Sequence, residues 1–552
     1  MSYLRAPGLG PIVGHTTHES SRIWIRAGDP GDSSSALDSE RRTIGVIGIL
    51  KSNGQIDPKQ IHYFRLHREF DRTGSFELGR QQSLFKTTKT TKLKPKSVYR
   101  VRVGTLTLDD PMRDDEMLDN DDLTMTLPQP SHWATELARL PEKKSEAEFR
   151  TFAAPSNNDP ADEVSFLSGS CRFPGLLFKA KRADKIFKAV LKEAETKRNG
   201  TEPSFVLMTG DQIYADTLNR LVPIGRADSF EAFQERYHTA FGSKNMRKLL
   251  RNKPVYMILD DHEIEDNWTQ DRLSYPDKVF QVNKSQLFTI AIDAYMSYQW
   301  SHGPRNFGRR LFYTFECGGY PFFVCDTRTQ RYMDDDENSL DDNHLIGRPS
   351  LGDSAPAQID RLLAWLKSHP RKLPKFIVTS SVFAPSPIFA RDGSSQKRKE
   401  KSDSWPAFPT TRRAILDCIV KNKIQNVIFL SGDIHCANVA ELSFSHSGKN
   451  LKAYSITSSA FYWPFPFADG DPSNFVHDSR KPEQADPFLL GDGKTVMHYK
   501  AWNFSQEDNF CRVDIDRANA QVVVRTFDDE GEIIRHEVTG AKLEANLPLA
   551  PW

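Results

Sequence analysis

Apolar and polar positions alternate in short stretches over the first part of the chain. Ser21–Ala27 and Ser97–Val103 show this alternation, and Arg42–Leu50 contains a run of β-branched residues. A period of two is typical of strands with one buried face. Clusters of Gly, Pro, Asp and Ser separate the stretches, as expected for tight turns. The pattern predicts a small antiparallel β-sandwich over residues 1–153.

The spacing changes after a segment rich in Pro, Asn and Ser at residues 154–160, which predicts a linker. Beyond it, fully apolar runs such as Phe376–Val378 alternate with segments such as Arg182–Ala194, whose apolar residues have helical spacing. Alternating strands and helices are typical of layered α/β domains. We therefore predict an α/β domain over residues 161–540.

The C-terminal part returns to strand-like patterns at Cys511–Ile515 and Val522–Phe527, and residues 541–552 are predicted to form a tail. Two strongly charged segments, the acidic residues 109–122 and the basic residues 391–404, are predicted to be solvated loops. Neither segment changes the choice of fold class.

Four of the apolar runs end directly in side chains that bind metals or phosphate. Strands of this kind carry the reactive loops of open α/β sheets at their carboxyl ends. If the ends converge, they gather Asp, His, Tyr and Arg around one point. The pattern therefore predicts a polynuclear metal site that handles phosphate. The four segments are Val206–Tyr214, Tyr256–Glu263, Phe322–Arg328 and Val427–His435.

The charge balance and the composition of the chain limit the classes of partner that we expect. The chain has 552 residues, with 74 basic and 73 acidic side chains, which gives no sign of a nucleic-acid or membrane partner. Its six scattered cysteines suit a reducing compartment, and its N-terminus has no apolar secretion segment. No stretch approaches the ~20 apolar residues that span a bilayer. We expect a cytoplasmic enzyme with a small phosphoester substrate and no membrane span, while any partner proteins remain open.

Each motif also has an ordinary structural interpretation. Asp211 with Tyr214 either binds a metal or forms a Gly-Asp turn beside a buried tyrosine, and Asp433-Ile434-His435 either chelates a metal or ends in a core histidine. Asp260–Glu263 is either a catalytic segment, with His262 as proton donor, or an acidic surface loop. Cys171 suits a thiolate ligand or a small core residue. Arg328 either clamps phosphate or pairs with Asp326.

In this order along the chain, the motifs resemble those of the PhoD-like alkaline phosphatases, a branch of the calcineurin-like metallophosphoesterases. The resemblance covers roughly residues 160–540. It also implies a layered αββα catalytic domain preceded by a β-rich accessory domain. The matching motifs are Ser170-Cys171, Gly210–Tyr214, Asp260–Glu263 with Asn267-Trp268, Asp326–Arg328 and Gly432–His435.

The resemblance implies a site of ferric iron and calcium that hydrolyses phosphomonoesters and often phosphodiesters, by in-line attack of a metal-bound hydroxide. His262 is implied to assist the leaving group and Arg328 to neutralise phosphate oxygens. Arg172, directly after Cys171, departs from the family pattern and is expected to add phosphate affinity or a substrate preference. Asp211 is implied to bridge the two metals. The implied iron ligands are Cys171, Asp211, Tyr214 and His435, and the further calcium ligands are Asp261, Asn267 and Asp433.

One departure from the family pattern concerns calcium. Pro406 stands where many members have a carboxylate, which leaves the number of calcium ions open. Two other functions stay open at this point: a nuclease or nucleotide phosphodiesterase, and a catalytically silent, metal-stabilised interaction module. The balanced charge and the lack of an aromatic and basic stripe argue against long nucleic-acid substrates.

Overall fold

The structure is a computed structural model. It describes residues 3–28, 42–81, 83, 90–108, 127–155, 159–174, 180–216, 225–274, 283–306, 310–333, 340–347, 357–386, 404–445, 451–465, 472–481 and 487–552. The predicted loop at residues 109–122 and nearly all of the one at 391–404 lie outside them.

The described residues form strands and helices in the following order. The strands are β1 (Tyr3–Arg5), β2 (Leu9–Thr16), β3 (Ser21–Arg26), β4 (Thr43–Leu50), β5 (Ile56–Arg65), β6 (Thr73–Leu78), β7 (Val98–Thr107), β8 (Glu146–Arg150), β9 (Glu163–Gly169), β10 (Val206–Met208), β11 (Val255–Met257), β12 (Tyr313–Cys317), β13 (Tyr320–Val324), β14 (Lys375–Val378), β15 (Val427–Ser431), β16 (Ala437–Phe444), β17 (Lys452–Thr457), β18 (Phe488–Leu489), β19 (Val496–Ser505), β20 (Phe510–Asp516), β21 (Gln521–Phe527) and β22 (Glu544–Pro548). The α-helices are α1 (Ala134–Arg139), α2 (Glu142–Ser145), α3 (Ala180–Ala183), α4 (Ile186–Ala194), α5 (Phe230–Gly242), α6 (Lys244–Asn252), α7 (Lys284–Tyr298), α8 (Gln358–Ser368) and α9 (Pro409–Lys421). Short 3-10 helices span Arg68–Phe70, Pro130–Trp133, Asp261–Glu263, Gln270–Ser274, Trp300–His302, Trp405–Ala407 and Pro472–Phe475.

The N-terminal strands form two antiparallel sheets, which contain both stretches predicted from alternation. The larger sheet has the order β1-β7-β4-β5, with β8 also paired to β7, and the smaller has the order β2-β3-β6. One apolar cluster contains side chains of both sheets, including Ile23 and Phe76 from the smaller and Ile47 and Val103 from the larger. The alternating pattern arises because each sheet turns one face towards this shared core.

The described residues beyond the N-terminal sheets contain two further sheets. The six-stranded sheet has the order β11-β10-β9-β20-β21-β22, and the eight-stranded sheet has the order β12-β13-β14-β15-β17-β16-β19-β18. Strands β9, β10 and β11 run parallel, as do β13, β14, β15 and β17. These parallel strands include those that precede the predicted functional motifs, so the motifs follow strand ends at a common edge of each sheet.

Aromatic side chains join the two sheets. The Phe166 ring of β9 contacts Phe322 of β13 and Phe376 of β14, with centroid distances of 5.5 Å in both cases. Helices α4 to α7 pack on the outer face of the six-stranded sheet, and α8 and α9 on the outer face of the eight-stranded one. Because the sheets share one apolar core, the loops that follow their parallel strands meet.

The C-terminal segment that was predicted as a tail contains β22, which pairs with β21 at the edge of the six-stranded sheet. Leu547 of this strand is fully buried. The N-terminal sheets contact helix α7, where Trp24 Nε1 donates to the carbonyl of Ser297 at 2.9 Å. No helix in the described ranges has the length and apolar character needed to cross a bilayer.

Candidate metal centre

Carboxylate, thiol and imidazole atoms converge where the loops of the two sheets meet. They form three overlapping groups, and within each group the candidate ligand atoms lie within 4.8 Å of one another. Asp211 belongs to two of the groups, and so does Asp261. The loops after β9, β10, β11 and β15 all contribute. The groups are Cys171 with Asp211 and His435, Asp211 with Asp261 and His262, and Asp260 with Asp261 and Asp433.

Several of these residues have left-handed backbones, which are uncommon for residues other than glycine. Each such conformation costs roughly 1–3 kcal/mol and persists where the surrounding structure imposes it, often at a functional site. The strain gives the loops sharp turns, so that ligands from consecutive strand ends face one another. The φ angles are 55° at Cys171, 54° at Asp211, 55° at Asn267, 73° at Asp433 and 51° at His435.

Two glycines allow the loops to approach closely. Gly210 has a φ of 113°, and a Cβ added there would lie 2.5 Å from the Cβ of Asp260. A Cβ at Gly432 would lie 2.1 Å from Ser170 Oγ. The Gly-Asp pairs in the sequence therefore mark places where one loop backbone packs directly against the next.

Glu263 connects two of the loops through its buried carboxylate. Its Oε2 accepts the backbone N–H of Asp211 at 3.1 Å and of Asp260 at 2.9 Å, and its Oε1 accepts the N–H of Gln212 at 2.6 Å. Gln299 Nε2 also donates to Oε1, at 3.0 Å. Burial raises the pKa of Glu263 to about 7. Sequence reasoning assigned Glu263 no role, although its position three residues after Asp260 is the spacing of a capping box.

Arg328 lies among the acidic groups with its side chain fully buried. Its Nε donates to Asp260, and its Nη2 lies 3.3 Å from Asp261 Oδ1 and 3.7 Å from Asp433 Oδ2. Burial alone would lower the pKa of Arg328, but these carboxylates outweigh it and the pKa is raised. Asp326 Oδ1 accepts the backbone N–H of Arg328 at 3.2 Å. Asp260 is the site residue that sequence reasoning missed here.

His262 stands between Tyr214 and a carboxylate from the loop after β10. Its Nδ1 lies 2.7 Å from Asp216 Oδ1, and its ring stacks on Tyr214 with a centroid distance of 4.2 Å. Burial acts to lower the pKa of His262, but Asp216, Asp261 and Asp211 outweigh it and raise the pKa well above its usual value. The imidazole is therefore held in its protonated form. Asp216 was also missed, because a carboxylate two residues after Tyr214 carries no distinguishing pattern.

His435, Cys171 and Tyr214 bring three further donor atoms to the same place. His435 Nε2 is buried and has no hydrogen-bond partner among the described residues, and Trp463 covers the His435 ring at a centroid distance of 3.7 Å. Burial lowers the pKa of His435 to about 3, so the imidazole is neutral and able to ligate. Burial and the neighbouring Asp211 carboxylate raise the pKa of Cys171 and of Tyr214 well above their usual values. A cation in this group would favour their deprotonated, ligating forms.

Two predicted residues are not directed into these groups. Arg172 Nη2 donates to Ser243 Oγ at 3.1 Å, on the side of α5 and α6, and burial lowers the pKa of Arg172 to about 10. Asn267 is exposed at the rim, where its Nδ2 donates to Asp266 at 3.2 Å while its backbone N–H bonds to Asp261 Oδ2 at 2.6 Å. Pro406 lies in a 3-10 helix beside the buried Trp405.

Comparisons with known proteins identify the family of the chain. The family model described as PhoD-like phosphatase matches residues 183–471, just over half of the chain. Alkaline phosphatase D of Bacillus subtilis (strain 168) is 24% identical over 242 residues, which cover 41% of this chain and 38% of that protein. The match to this relative thus spans less than half of the relative's length.

A solved structure described as "Structure of PhoD" has the same overall fold. It matches with a TM-score of 0.60 and 16% sequence identity, covering 94% of this chain and 86% of that one. The match includes the N-terminal sheets, which the family model does not reach. The chain belongs to the PhoD-like phosphatase family, a family of phosphoric ester hydrolases.

Proposed function

We propose that the chain hydrolyses phosphate esters in a metal-dependent reaction, with phosphomonoesters and phosphodiesters of small molecules as substrates. The observation that carries this proposal is the set of three overlapping ligand groups, in which His435 Nε2 has no hydrogen-bond partner among the described residues. Membership of the PhoD-like phosphatase family supports the reaction class.

The donor chemistry divides the ligands into two sets. Thiolate, phenolate and imidazole suit ferric iron, which we assign to Cys171, Tyr214 and His435 together with Asp211. Carboxylate oxygens suit calcium, which we assign to Asp261 and Asp433, with Asn267 as a further oxygen ligand at the rim. Asp260 joins the calcium group on its geometry. Bound cations would supply positive charge that polarises the phosphate ester.

Residues of the chain itself account for proton transfer and alignment. His262 is held protonated by Asp216, and we assign it the donation of a proton to the leaving oxygen. Arg328 fixes the positions of three carboxylates that lie on two loops. We also assign to Arg328 the neutralisation of phosphate oxygens, and to Arg172 the binding of phosphate. For this role Arg172 would have to release its hydrogen bond to Ser243.

The proposed architecture follows the family. We assign residues 161–540 to a layered αββα catalytic domain, because helices cover the outer faces of two sheets that share a core. We assign residues 1–153 to a β-sandwich accessory domain, because its two sheets share another core. Strand β22 supports extension of the catalytic domain into residues 541–552.

A substrate panel tests this function. Metal-loaded protein is assayed with 4-nitrophenyl phosphate, bis(4-nitrophenyl) phosphate and a dinucleotide, and compared with Asp211→Asn and His435→Ala. We expect turnover of the two nitrophenyl esters that falls at least a thousandfold in both variants. The matched control is Asp492→Asn, in a turn away from the ligand groups, which should retain activity. A fully metal-loaded protein that turns over none of these esters would contradict the proposal, and exclusive turnover of the dinucleotide would favour a nuclease or nucleotide phosphodiesterase.

A further inference from the structure

A cavity separate from the metal centre lies between the N-terminal sheets and the end of helix α7. Its volume is about 420 Å³, within the range of small-molecule sites. One wall comes from the ends of β5 and β6 and from Phe70, and the other from Met296–Ser297, Trp300-Ser301 and Arg305-Asn306. None of the residues that line it belongs to the three ligand groups of the metal centre.

The ionisable side chains that line this cavity are all basic residues. Arg22, Arg65, His67 and Arg305 contribute to the lining, and no carboxylate does so among the described residues. Glu77 pairs with Arg22 at 2.7 Å, but the buried Arg22 Nε keeps no hydrogen-bond partner among the described residues.

His67 has a carboxylate neighbour as well, with its Nδ1 lying 3.5 Å from Glu69. Arg305 Nη2 donates to the neutral Gln81 Oε1 at 3.1 Å. The surface that a ligand would meet therefore presents guanidinium groups and, among the described residues, no carboxylate. Guanidinium groups suit anionic ligands.

The walls between these charges are apolar. Phe64, Phe70, Met296 and Trp300 line the cavity, and Trp300 is fixed because its Nε1 donates to the carbonyl of Arg310 at 3.0 Å. Aromatic and thioether surfaces offer contact area to a planar or aliphatic group, which bare phosphate or sulfate lacks. A basic rim over apolar walls therefore selects an anion that carries an apolar body.

We propose that this cavity is a second binding site, for a small organic anion with a phosphate, sulfonate or carboxylate head and an aromatic or aliphatic body. The head group meets Arg65 and Arg305, whose guanidinium groups suit oxyanions, and the body packs on Phe70, Met296 and Trp300. The proposal stands apart from the reaction at the metal centre, and its test requires neither hydrolysis nor bound metal.

Calorimetric titration of the full chain with 1-naphthalenesulfonate, which a phosphatase does not hydrolyse, tests this site. Sulfate and 1-naphthol supply the head and the body separately. We expect the sulfonate to bind at least tenfold more tightly than either fragment. Arg65→Ala and Arg305→Ala should each weaken binding of the sulfonate at least fivefold. Both side chains are exposed, so we expect both variants to fold. Arg68→Ala is the matched control, because Arg68 is exposed on the neighbouring 3-10 helix and does not line the cavity.

Four outcomes would overturn the proposal. Equal weakening by Arg68→Ala would indicate general attraction to positive charge, and sulfate binding as tight as that of the sulfonate would indicate a simple anion site. Loss of binding in Asp211→Asn would place the ligand at the metal centre. Anionic vesicles of phosphatidylglycerol provide a last arm, because binding to them without binding of the free sulfonate would indicate a lipid surface as the partner.

Discussion

The Nε of Arg328 donates to the carboxylate of Asp260, and both side chains are fully buried. The same guanidinium reaches Asp261 and Asp433, so Arg328 lies among three carboxylates from the loops after β11 and β15. Buried like charges repel strongly unless a counter-ion stands between them. In the metal-free protein Arg328 therefore serves as the counter-ion of the acidic groups that we assign to calcium.

Replacement of Arg328 tests this role. Arg328→Met should lower the free energy of unfolding of the chelated protein by about 3–5 kcal/mol, because it leaves buried carboxylates without their partner. Added calcium should restore more of the lost stability in the variant than it adds to the wild type. Urea unfolding with chelator and with calcium measures both effects, and Arg413→Met, away from the site, is the control. A higher KM with unchanged unfolding would instead indicate a phosphate clamp.

Glu263 should act on the metals through the loops that it holds. Glu263→Gln replaces an oxygen that accepts backbone N–H groups by an NH2 group that cannot accept them. We expect metal affinity or turnover to fall about 10–100-fold, as is typical for residues that orient metal ligands. Metal content and kcat of the variant, compared with Glu441→Gln on the surface, check this. Unchanged metal content and kcat would contradict the assigned role.

The crowding of carboxylates predicts a conflict between stability and function. Asp433 has a left-handed backbone, which asparagine tolerates better, and burial and its carboxylate neighbours raise its pKa well above the usual value. Asp433→Asn should therefore stabilise the metal-free protein by about 1–2 kcal/mol at neutral pH while it abolishes turnover. Thermal unfolding in chelator measures the change, with the exposed Asp492→Asn as reference. A destabilised variant would show that the wild-type site is not strained.

His262 should matter most for substrates with poor leaving groups. A proton donor accelerates departure of an alkoxide far more than of a nitrophenolate, which leaves without help. We expect His262→Asn to reduce turnover of an alkyl phosphate at least tenfold more than that of 4-nitrophenyl phosphate. Comparison of kcat for the two esters in wild type and variant gives the ratio. An equal loss on both esters would remove His262 from leaving-group protonation.

Asp71 should tie the N-terminal sheets to helix α7 in a pH-dependent way. Burial acts to raise the pKa of Asp71, but His238, Arg26 and Tyr298 outweigh it, so the pKa of Asp71 lies below its ordinary value. A lowered pKa in the folded state means that the ionised carboxylate stabilises the fold at pH values above the pKa of the unfolded chain. This stabilisation is lost as the pH falls through the pKa of the folded state.

The corresponding variant is Asp71→Asn. At pH 7 it should cost about 3 kcal/mol, since it breaks a largely buried pair in which Arg26 Nε lies 2.6 Å from Asp71. The difference from wild type should shrink below pH 4. Urea unfolding across this pH range measures it, and a difference that does not depend on pH would exclude the carboxylate charge as its cause.

The sequence predicted the strands, their order of motifs and the meeting of their loops, because buried parallel strands and Gly-Asp turns have local patterns. Cys171, Asp211, Asp261, Asp433 and His435 were all predicted and are brought together. The close approach of Asp260 to Gly210 and of Ser170 to Gly432 explains the glycines before Asp211 and Asp433, which the sequence shows directly.

Other features depend on tertiary contacts that have no local signature. The direction of Arg172 is decided by Ser243, and the partner of Arg328 by a loop 68 residues away in sequence. The role of Asp216 depends on its contact with His262 Nδ1, which lies 46 residues away in sequence. Strand β22 lacks a strong apolar pattern because it lies at a sheet edge with alternate residues exposed, so it was predicted to be a tail.

Metal content and turnover, determined on the same preparations of wild type and Asp211→Asn, test the proposed metal centre most directly. Asp211 belongs to two of the ligand groups, so we predict that wild type binds iron and calcium and hydrolyses 4-nitrophenyl phosphate. Asp211→Asn should lose metal from both sets and at least a thousandfold in turnover. Wild-type protein that is free of metal yet fully active, or a variant that keeps both metals and its rate, would contradict the account.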